Sequence, residues 1–110
     1  PRYVVTQESS CSPQNSGYTN CDLERWMVEA EVFDLETGLK KINADYSGED
    51  GIIEIPSFVE GTTENVSISL DFSCCVRSAS FSLIDVAGNG NFKDFNKGPL
   101  KGKKENSFCT

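Results

Sequence analysis

Two alternating segments flank a pair of adjacent cysteines in the stretch VSISLDFSCCVRSASFSLIDVAGN, residues 66–89. Every second position of the first segment is apolar, and these positions are Val66, Ile68, Leu70 and Phe72. The second segment repeats the pattern at Ala79, Phe81 and Leu83. Because successive side chains of a β-strand point to opposite faces, this spacing predicts two strands that each bury one face. Cys74 and Cys75 then lie in the connection between these strands.

Short β-type segments also occur outside this stretch, and turn residues separate them. We expect strands at residues 3–6, 39–46 and 52–55 and around residues 92–95. Residues 22–38 fit two patterns. Helical spacing is approached by Leu23, Trp26, Met27, Ala30 and Phe33, whereas strand-like alternation is followed by Trp26, Val28, Ala30 and Val32. We prefer the strand, because the neighbouring segments are all of β type.

About seven short strands with frequent turns predict an all-β fold, an antiparallel sandwich of the immunoglobulin or fibronectin type III kind. The 110 residues suffice for one domain with a modest core. We assign the sandwich to residues 1–90, and the last strand with a Lys/Gly-rich C-terminal extension to residues 91–110. The cysteine–tryptophan–cysteine pattern of antibody domains is missing, because no cysteine lies mid-strand on either side of Trp26.

The five cysteines predict disulfide bonds. The C-x2-C pairs typical of zinc sites do not occur in the sequence, so bonds formed in an oxidising compartment are the preferred interpretation. If successive strands alternate in direction, four cysteines gather at one pole of the sandwich: Cys11, Cys21, Cys74 and Cys75. Since a bond between adjacent cysteines closes a small strained ring, we expect Cys74 and Cys75 to take separate partners from Cys11 and Cys21, in either combination. Cys109 is then a candidate for an intermolecular disulfide, or it replaces one of the four.

Charge is distributed unevenly along the chain. The net charge is −7, but residues 1–90 carry −10 and residues 91–110 carry +3. An acidic body repels phosphates, so we expect no nucleic-acid binding. The basic end offers a candidate tail for docking on an acidic surface, with Lys97, Lys101, Lys103 and Lys104. No apolar run is long enough for membrane insertion.

Candidate chemical sites are few. The sequence has no histidine, which excludes Ser–His and Cys–His nucleophile systems within this chain, and we expect neither an enzyme nor a bound cofactor. Acidic residues in the predicted turns provide the oxygen ligands that calcium prefers, but they lack the twelve-residue spacing of a calcium loop, so calcium is a weak expectation. These residues are Asp34, Glu36, Asp45, Glu49 and Asp50.

Three further polar features remain, and for the charged residues we prefer an ordinary structural role over a catalytic or ligand-binding one. Glu29 and Glu31 fall on the outward face of the predicted strand, which favours a solvated surface over a catalytic carboxylate pair. Asp85 and Asn89 are expected to hydrogen-bond the backbone of their own turn. Asn65 begins the single Asn-x-Ser/Thr triplet of the chain and is a candidate N-glycosylation site.

The stretch FVEGTTENVSISLDFSCCVRSASFSLIDVAGN, residues 58–89, resembles a family of β-sandwich modules that follow von Willebrand factor A domains in animal extracellular proteins. The similar features are the F-V-x-G-T turn, the alternating strand, the adjacent cysteines and the D-x-A-G-N ending. An upstream loop with cysteines and the ETGL turn extend the resemblance over about residues 1–90. It implies an extracellular spacer or adhesive module without catalytic residues. The sequence departs from the pattern after Asn89, because the closing cysteine comes only at position 109.

These observations together predict a non-enzymatic extracellular module for adhesion, matrix or filament assembly, whose partners are proteins, either copies of itself or other extracellular chains. The alternative is a small secreted ligand-binding or inhibitory protein that acts through its loops. Because the sequence opens on PRYVV without a signal peptide, we expect a mature or excised segment, secreted or part of an ectodomain.

Overall fold

The computed structural model describes residues 1–12 and 20–97, and these residues form a β-structure with one short 3-10 helix at Cys21–Leu23. The strands are β1 (Arg2–Glu8), β2 (Arg25–Phe33), β3 (Leu39–Tyr46), β4 (Gly51–Glu54), β5 (Val66–Ser73), β6 (Ser78–Asp85) and β7 (Gly90–Asn96). All strand pairs are antiparallel.

The strands form two sheets. One sheet has the order β1-β2-β5-β4, and the other has the order β3-β6-β7. With the strands lettered A to G in chain order, these are the ABED and CFG sheets of a constant-type immunoglobulin sandwich. The predicted all-β antiparallel sandwich of about seven strands is therefore confirmed.

Strand β2 resolves the ambiguity between helix and strand in residues 22–38. It lies in the middle of its sheet, where it pairs with β1 on one side and β5 on the other. Trp26, Val28, Ala30 and Val32 are buried, and the residues between them are half-buried. The two neighbouring strands form hydrogen bonds with the backbone N–H and C=O groups of β2, and the alternating pattern buries one of its faces. These interactions favour the extended conformation over the helical one.

The core lies between the two sheets and combines the inward faces of both. The four-stranded sheet contributes Trp26 and Phe72, whose rings lie 4.8 Å apart. The three-stranded sheet contributes Phe81, which contacts Tyr3 of β1 edge to face and Phe95 of β7. Side chains from both sheets thus meet in one apolar cluster, so that burial of these residues holds the two layers together.

The segment before β2 differs from the sequence prediction. The segment with the strand pattern began at residue 22, but Cys21–Leu23 form the 3-10 helix, and β2 starts only at Arg25. In this helical turn Cys21 is buried against the core and does not continue the strand along the edge of the sheet. The helical turn therefore directs this cysteine towards the β5–β6 connection.

Strands β1 and β7 are edge strands of different sheets, and side chains connect them at both ends. The Asn91 side-chain amide donates to the carbonyl oxygen of Pro1 over 3.1 Å. At the other end the Lys97 ammonium group lies 2.7 Å from the Glu8 carboxylate. These contacts close one side of the sandwich without a backbone ladder between β1 and β7 among the described residues.

Candidate functional site

Two disulfides join the first loop to the β5–β6 connection. Cys11 bonds to Cys74 with 6.1 Å between the Cα atoms, and Cys21 bonds to Cys75 with 4.8 Å. Cys74 and Cys75 lie in the turn after β5, where Cys74 is buried and Cys75 is exposed. The expectation that four cysteines meet at one pole, with separate partners for Cys74 and Cys75, is confirmed. We call this region the disulfide pole.

Hydrogen bonds hold the backbone of the disulfide pole in place. The amide of Cys74 donates to the carbonyl oxygen of Glu24 over 2.9 Å. The Glu24 carboxylate in turn accepts hydrogen bonds from the amide of Ser12 at 3.0 Å and from its hydroxyl group at 2.6 Å. Ser12, the residue after Cys11, and Cys74 are thereby bonded to the same glutamate, which holds the first loop in addition to the disulfides.

Trp26 fills the interior below the disulfide pole. Its indole Nε1 group donates to the carbonyl oxygen of Val76 over 2.8 Å, and the ring is fully buried. Arg77 spans the same connection and donates to the carbonyl oxygens of Cys74 and Lys97. Desolvation by burial lowers the pKa of Arg77. The pole is thus a packed structural junction, and its polar groups are bonded to one another.

Lys97, the first lysine of the predicted docking tail, is engaged within the chain. Its ammonium group pairs with Glu8 and lies 4.9 Å from the centre of the Trp26 ring. The other members of the predicted tail, and the predicted intermolecular cysteine, lie outside the described residues: Lys101, Lys103, Lys104 and Cys109. Docking through the tail therefore rests on the three lysines beyond Lys97.

Asp34 organises a turn at the pole opposite the disulfides. Its Oδ1 atom accepts hydrogen bonds from the amides of Glu36, Thr37 and Gly38 at 2.9–3.3 Å. Its Oδ2 atom lies 3.1 Å from the amino group of Pro1. These donors, above all the Thr37 amide, hold the pKa of the Asp34 carboxyl well below its usual range. Both oxygen atoms of the carboxylate are therefore engaged, one by the backbone amides of its own turn and the other by the amino group of Pro1.

The weak expectation of calcium binding gains no support from these positions. Among the residues that the structure describes, no three acidic, cysteine or histidine side chains are grouped so as to hold a metal ion. Asp50 instead lies 3.1 Å from Arg25, which also contacts Asp71 at 2.7 Å. The hydrogen bond to Asp71, followed by that to Asp50, raises the pKa of the Arg25 guanidinium group.

The surroundings of Asp85, Asn89, Glu29 and Glu31 fit the structural roles expected for them. The Asp85 carboxylate accepts from the amide of Asn89 over 2.7 Å, and the Asp85 amide donates to the carbonyl oxygen of Asn89 over 2.9 Å. The predicted bonding within that turn is confirmed. Glu29 and Glu31 lie half-buried on the outward side of β2, alternating with its core residues.

Asn65 lies exposed immediately before β5, at the pole that carries Asp34. Ser67, the third residue of the triplet, is also exposed, and its hydroxyl group donates to the Glu31 carboxylate. The acceptor side chain is thus placed on the surface, where an attached sugar meets no core residue.

We did not predict from the sequence that the outward face of the three-stranded sheet exposes large apolar side chains. Phe92 is 63% exposed there, and Ile84 is 36% exposed on the neighbouring strand. The spacing of Phe92 and Phe95 contains the signal, because residues three apart on a strand point to opposite faces. With Phe95 buried, Phe92 must face outward.

A comparison of the chain with models of known protein families, with curated proteins and with solved structures found no match. In the part of the chain that the structure describes, no helix has the length and apolar character needed to span a membrane.

Proposed function

We propose that this chain is a non-enzymatic extracellular module that binds protein surfaces, in adhesion or in the assembly of matrix or filaments, and that copies of the chain associate with one another. The observation that supports the proposal most is the pair of disulfides between the first loop and the β5–β6 connection. Such bonds form and persist in oxidising compartments outside the cytosol. On the resemblance of residues 58–89, we include a place beside a von Willebrand factor A domain in a longer chain.

The surface of the described residues favours flat contacts over the capture of a small molecule. Its grooves lie on the outer faces of the sheets and between loops, and they open to solvent. Small-molecule sites are usually concave and largely apolar, whereas protein interfaces use broad faces. This contrast supports the interaction module over the secreted ligand-binding protein.

The split of charge supports self-association. The body carries a strong negative charge, whereas the last twenty residues carry a net positive charge. A basic segment on one copy attracts the acidic body of the next, which steers association and orients it. Lys101, Lys103 and Lys104 would supply the positive charge, since Lys97 is paired with Glu8 of its own chain.

We also propose that Asn65 carries an N-linked glycan in the extracellular setting. The side chain is exposed and lies next to the four-stranded sheet, at the pole opposite the disulfides. Expression behind a secretory leader, followed by enzymatic removal of N-glycans and mass measurement, tests this. A mass that the enzyme leaves unchanged in secreted material would remove Asn65 from the proposal.

Sedimentation velocity and non-reducing electrophoresis of the full chain test the self-association. We expect concentration-dependent association at low ionic strength that weakens when Lys101, Lys103 and Lys104 are all replaced by Gln. The replacement of Lys40, an exposed lysine on β3, by Gln is the control for loss of surface charge and is expected to change association little. Cys109→Ser shows whether a covalent dimer contributes.

A chain that stays monomeric at low ionic strength, with a free Cys109 thiol, contradicts self-association. A tight one-to-one complex of the monomer with a soluble small ligand would instead favour the secreted ligand-binding protein.

A further inference from the structure

The outward face of the three-stranded sheet consists of rows of side chains that run across β3, β6 and β7. Strand pairing places Lys41 beside Ile84, Asn43 beside Ser82 and Phe92, and Asp45 beside Ser80 and Asp94. A last row contains Ser78 and Asn96. The middle strand thus contributes three serines, whose short side chains leave the face nearly flat and let a second surface approach closely.

Opposite charges occupy the two ends of this face. Lys41 lies in one row, and Asp45 and Asp94 lie two rows further along the strands, about 13 Å away at the usual rise per residue. The row with Phe92 lies midway between them. The face therefore has a positive end, an exposed aromatic centre and a negative end.

The negative end of the face contains an open groove. Asp45 and Asp94 stand on the outer strands with Ser80 between them, about 10 Å apart at the usual strand spacing. The groove has a volume of about 400 Å³, and Ser78 and Ser80 line it. A lysine from outside that entered the groove would place its ammonium group between two carboxylates.

We propose that two copies of this chain associate through the outward faces of their three-stranded sheets, related by a two-fold axis through the row of Ser82 and Phe92. A two-fold rotation about that row exchanges the ends of the face. Each strand then faces its own counterpart, so Lys41 of each copy lies opposite Asp45 of the other, while the two Phe92 rings meet near the axis. An interface of this kind is self-complementary, as a two-fold dimer requires.

This inference rests on the self-association in the proposed function and adds to the docking of the basic tail a second contact between copies. It does not involve the C-terminal lysines, because Lys41 supplies the positive charge within the described residues. The contact area of three short strands is at the small end of the range for specific interfaces, so the dimer is weak and transient. Phe92 is the anchor, because an aromatic side chain buried at the centre of an interface contributes most to affinity.

The first experiment measures the dimer dissociation constant by sedimentation equilibrium up to about 1 mM protein. We expect Phe92→Ser to weaken the dimer about tenfold or more. The matched control is Val59→Ser, which removes an 80% exposed apolar side chain from the 55–65 loop, away from this face. An equal effect of both variants, or no effect of Phe92→Ser, would overturn the proposed surface.

The second experiment uses charge reversal. Lys41→Glu alone places a carboxylate against Asp45 of the partner copy, and the double variant Asp45→Lys with Asp94→Lys makes that end of the face positive and places a lysine against Lys41. We expect each variant alone to be monomeric at concentrations where the original chain dimerises. When the two are mixed in equal amounts, every facing pair is again of opposite charge, and a heterodimer should form.

The mixing experiment separates the outcomes. Recovery of a dimer in the mixture supports the two-fold arrangement, because misfolded variants would not recover. Two variants that stay monomeric when mixed contradict it. Association that survives all the face variants but disappears when Lys101, Lys103 and Lys104 become Gln also overturns this inference, while leaving the self-association of the proposed function in place.

Discussion

Among the described glycines, Gly38 is the one at which an added Cβ atom would lie closest to a neighbouring atom. Its φ angle is +87°, and a Cβ atom built on it would lie 2.1 Å from the carbonyl oxygen of Gly61. The backbone of the turn after β2 therefore presses directly on the loop before β5, and the amide of Leu39 donates to Thr62 beside this contact. Only a residue without a side chain fits this approach.

We predict that Gly38→Ala destabilises the fold by more than about 2 kcal/mol, because the backbone must move in addition to adopting a strained φ angle. Gly88→Ala is the matched control: its φ angle is +91°, but no atom lies within 4 Å of the added Cβ. It should cost only about 1 kcal/mol. Urea unfolding of both variants measures the difference, and equal losses would contradict the close contact.

Asp34 predicts how stability depends on pH. Its folded pKa lies below that of the unfolded chain, so the unfolded state binds more protons at acidic pH. The stabilisation by the carboxylate is therefore complete above the unfolded pKa of about 4 and is lost as the pH falls towards the folded pKa. We predict that Asp34→Asn lowers the melting temperature at pH 7 and that the difference from the original chain shrinks towards pH 2. A difference that stays constant over this range would contradict the role of the charge.

Sequence reasoning at the residue scale succeeded for one turn and missed another. The hydrogen bonding of Asp85 and Asn89 within their own turn was predictable from residue type. Asp34 was treated as a weak calcium ligand, because the same carboxylate oxygens serve a cation and a set of backbone amides equally well. Only the folded turn shows that three amides already point at this carboxylate.

At the scale of elements, the sequence predicted which strands form and where their ends meet. Strand counting placed four cysteines at one pole, but it left their pairing open. The turn after β5 decides the pairing, because it buries Cys74 and leaves Cys75 exposed. The buried sulfur reaches Cys11, and the outer sulfur reaches Cys21 at the start of a 3-10 helix that the sequence pattern did not reveal.

The adjacency of Cys74 and Cys75 makes the two disulfides interdependent. While the bond between Cys11 and Cys74 is intact, Cys75 is held close to Cys11, because it is adjacent to Cys74. The bond between Cys21 and Cys75 then closes a loop of only about ten residues in the unfolded chain, the segment between Cys11 and Cys21. In the chain-entropy model, replacing one bonded pair with Ala should cost about 3 kcal/mol.

Replacing both bonded pairs should cost about 7 kcal/mol, the sum of about 4 kcal/mol for one long loop and about 3 kcal/mol for the short loop that the second bond closes. Denaturant unfolding of the three variants measures this. A cost for both that equals the cost for one would show that only one bridge constrains the unfolded chain.

At the scale of the whole molecule, the sandwich and the acidic body were predictable, because alternation and net charge are summed over many residues. The outward face of the three-stranded sheet was not, because it depends on how β3, β6 and β7 lie side by side. Lys41, Asp45 and Asp94 belong to strands far apart in sequence, and only the register of the sheet sets their spacing. A face of this kind has no signature in any single segment.

The position of the disulfides also determines how the molecule responds to mechanical load. A force applied through residues 1 and 97 pulls β1 and β7 away from their sheets. The bond from Cys11 to Cys74 transmits this force directly, so the residues between the two cysteines do not bear it. Only about 33 residues can then extend, to roughly 110 Å, whereas a reduced chain would reach about 330 Å. Single-molecule stretching in oxidised and reduced buffer would measure both lengths. The module would therefore act as a tether of fixed maximal length, in which β2 to β5 stay shielded from the load.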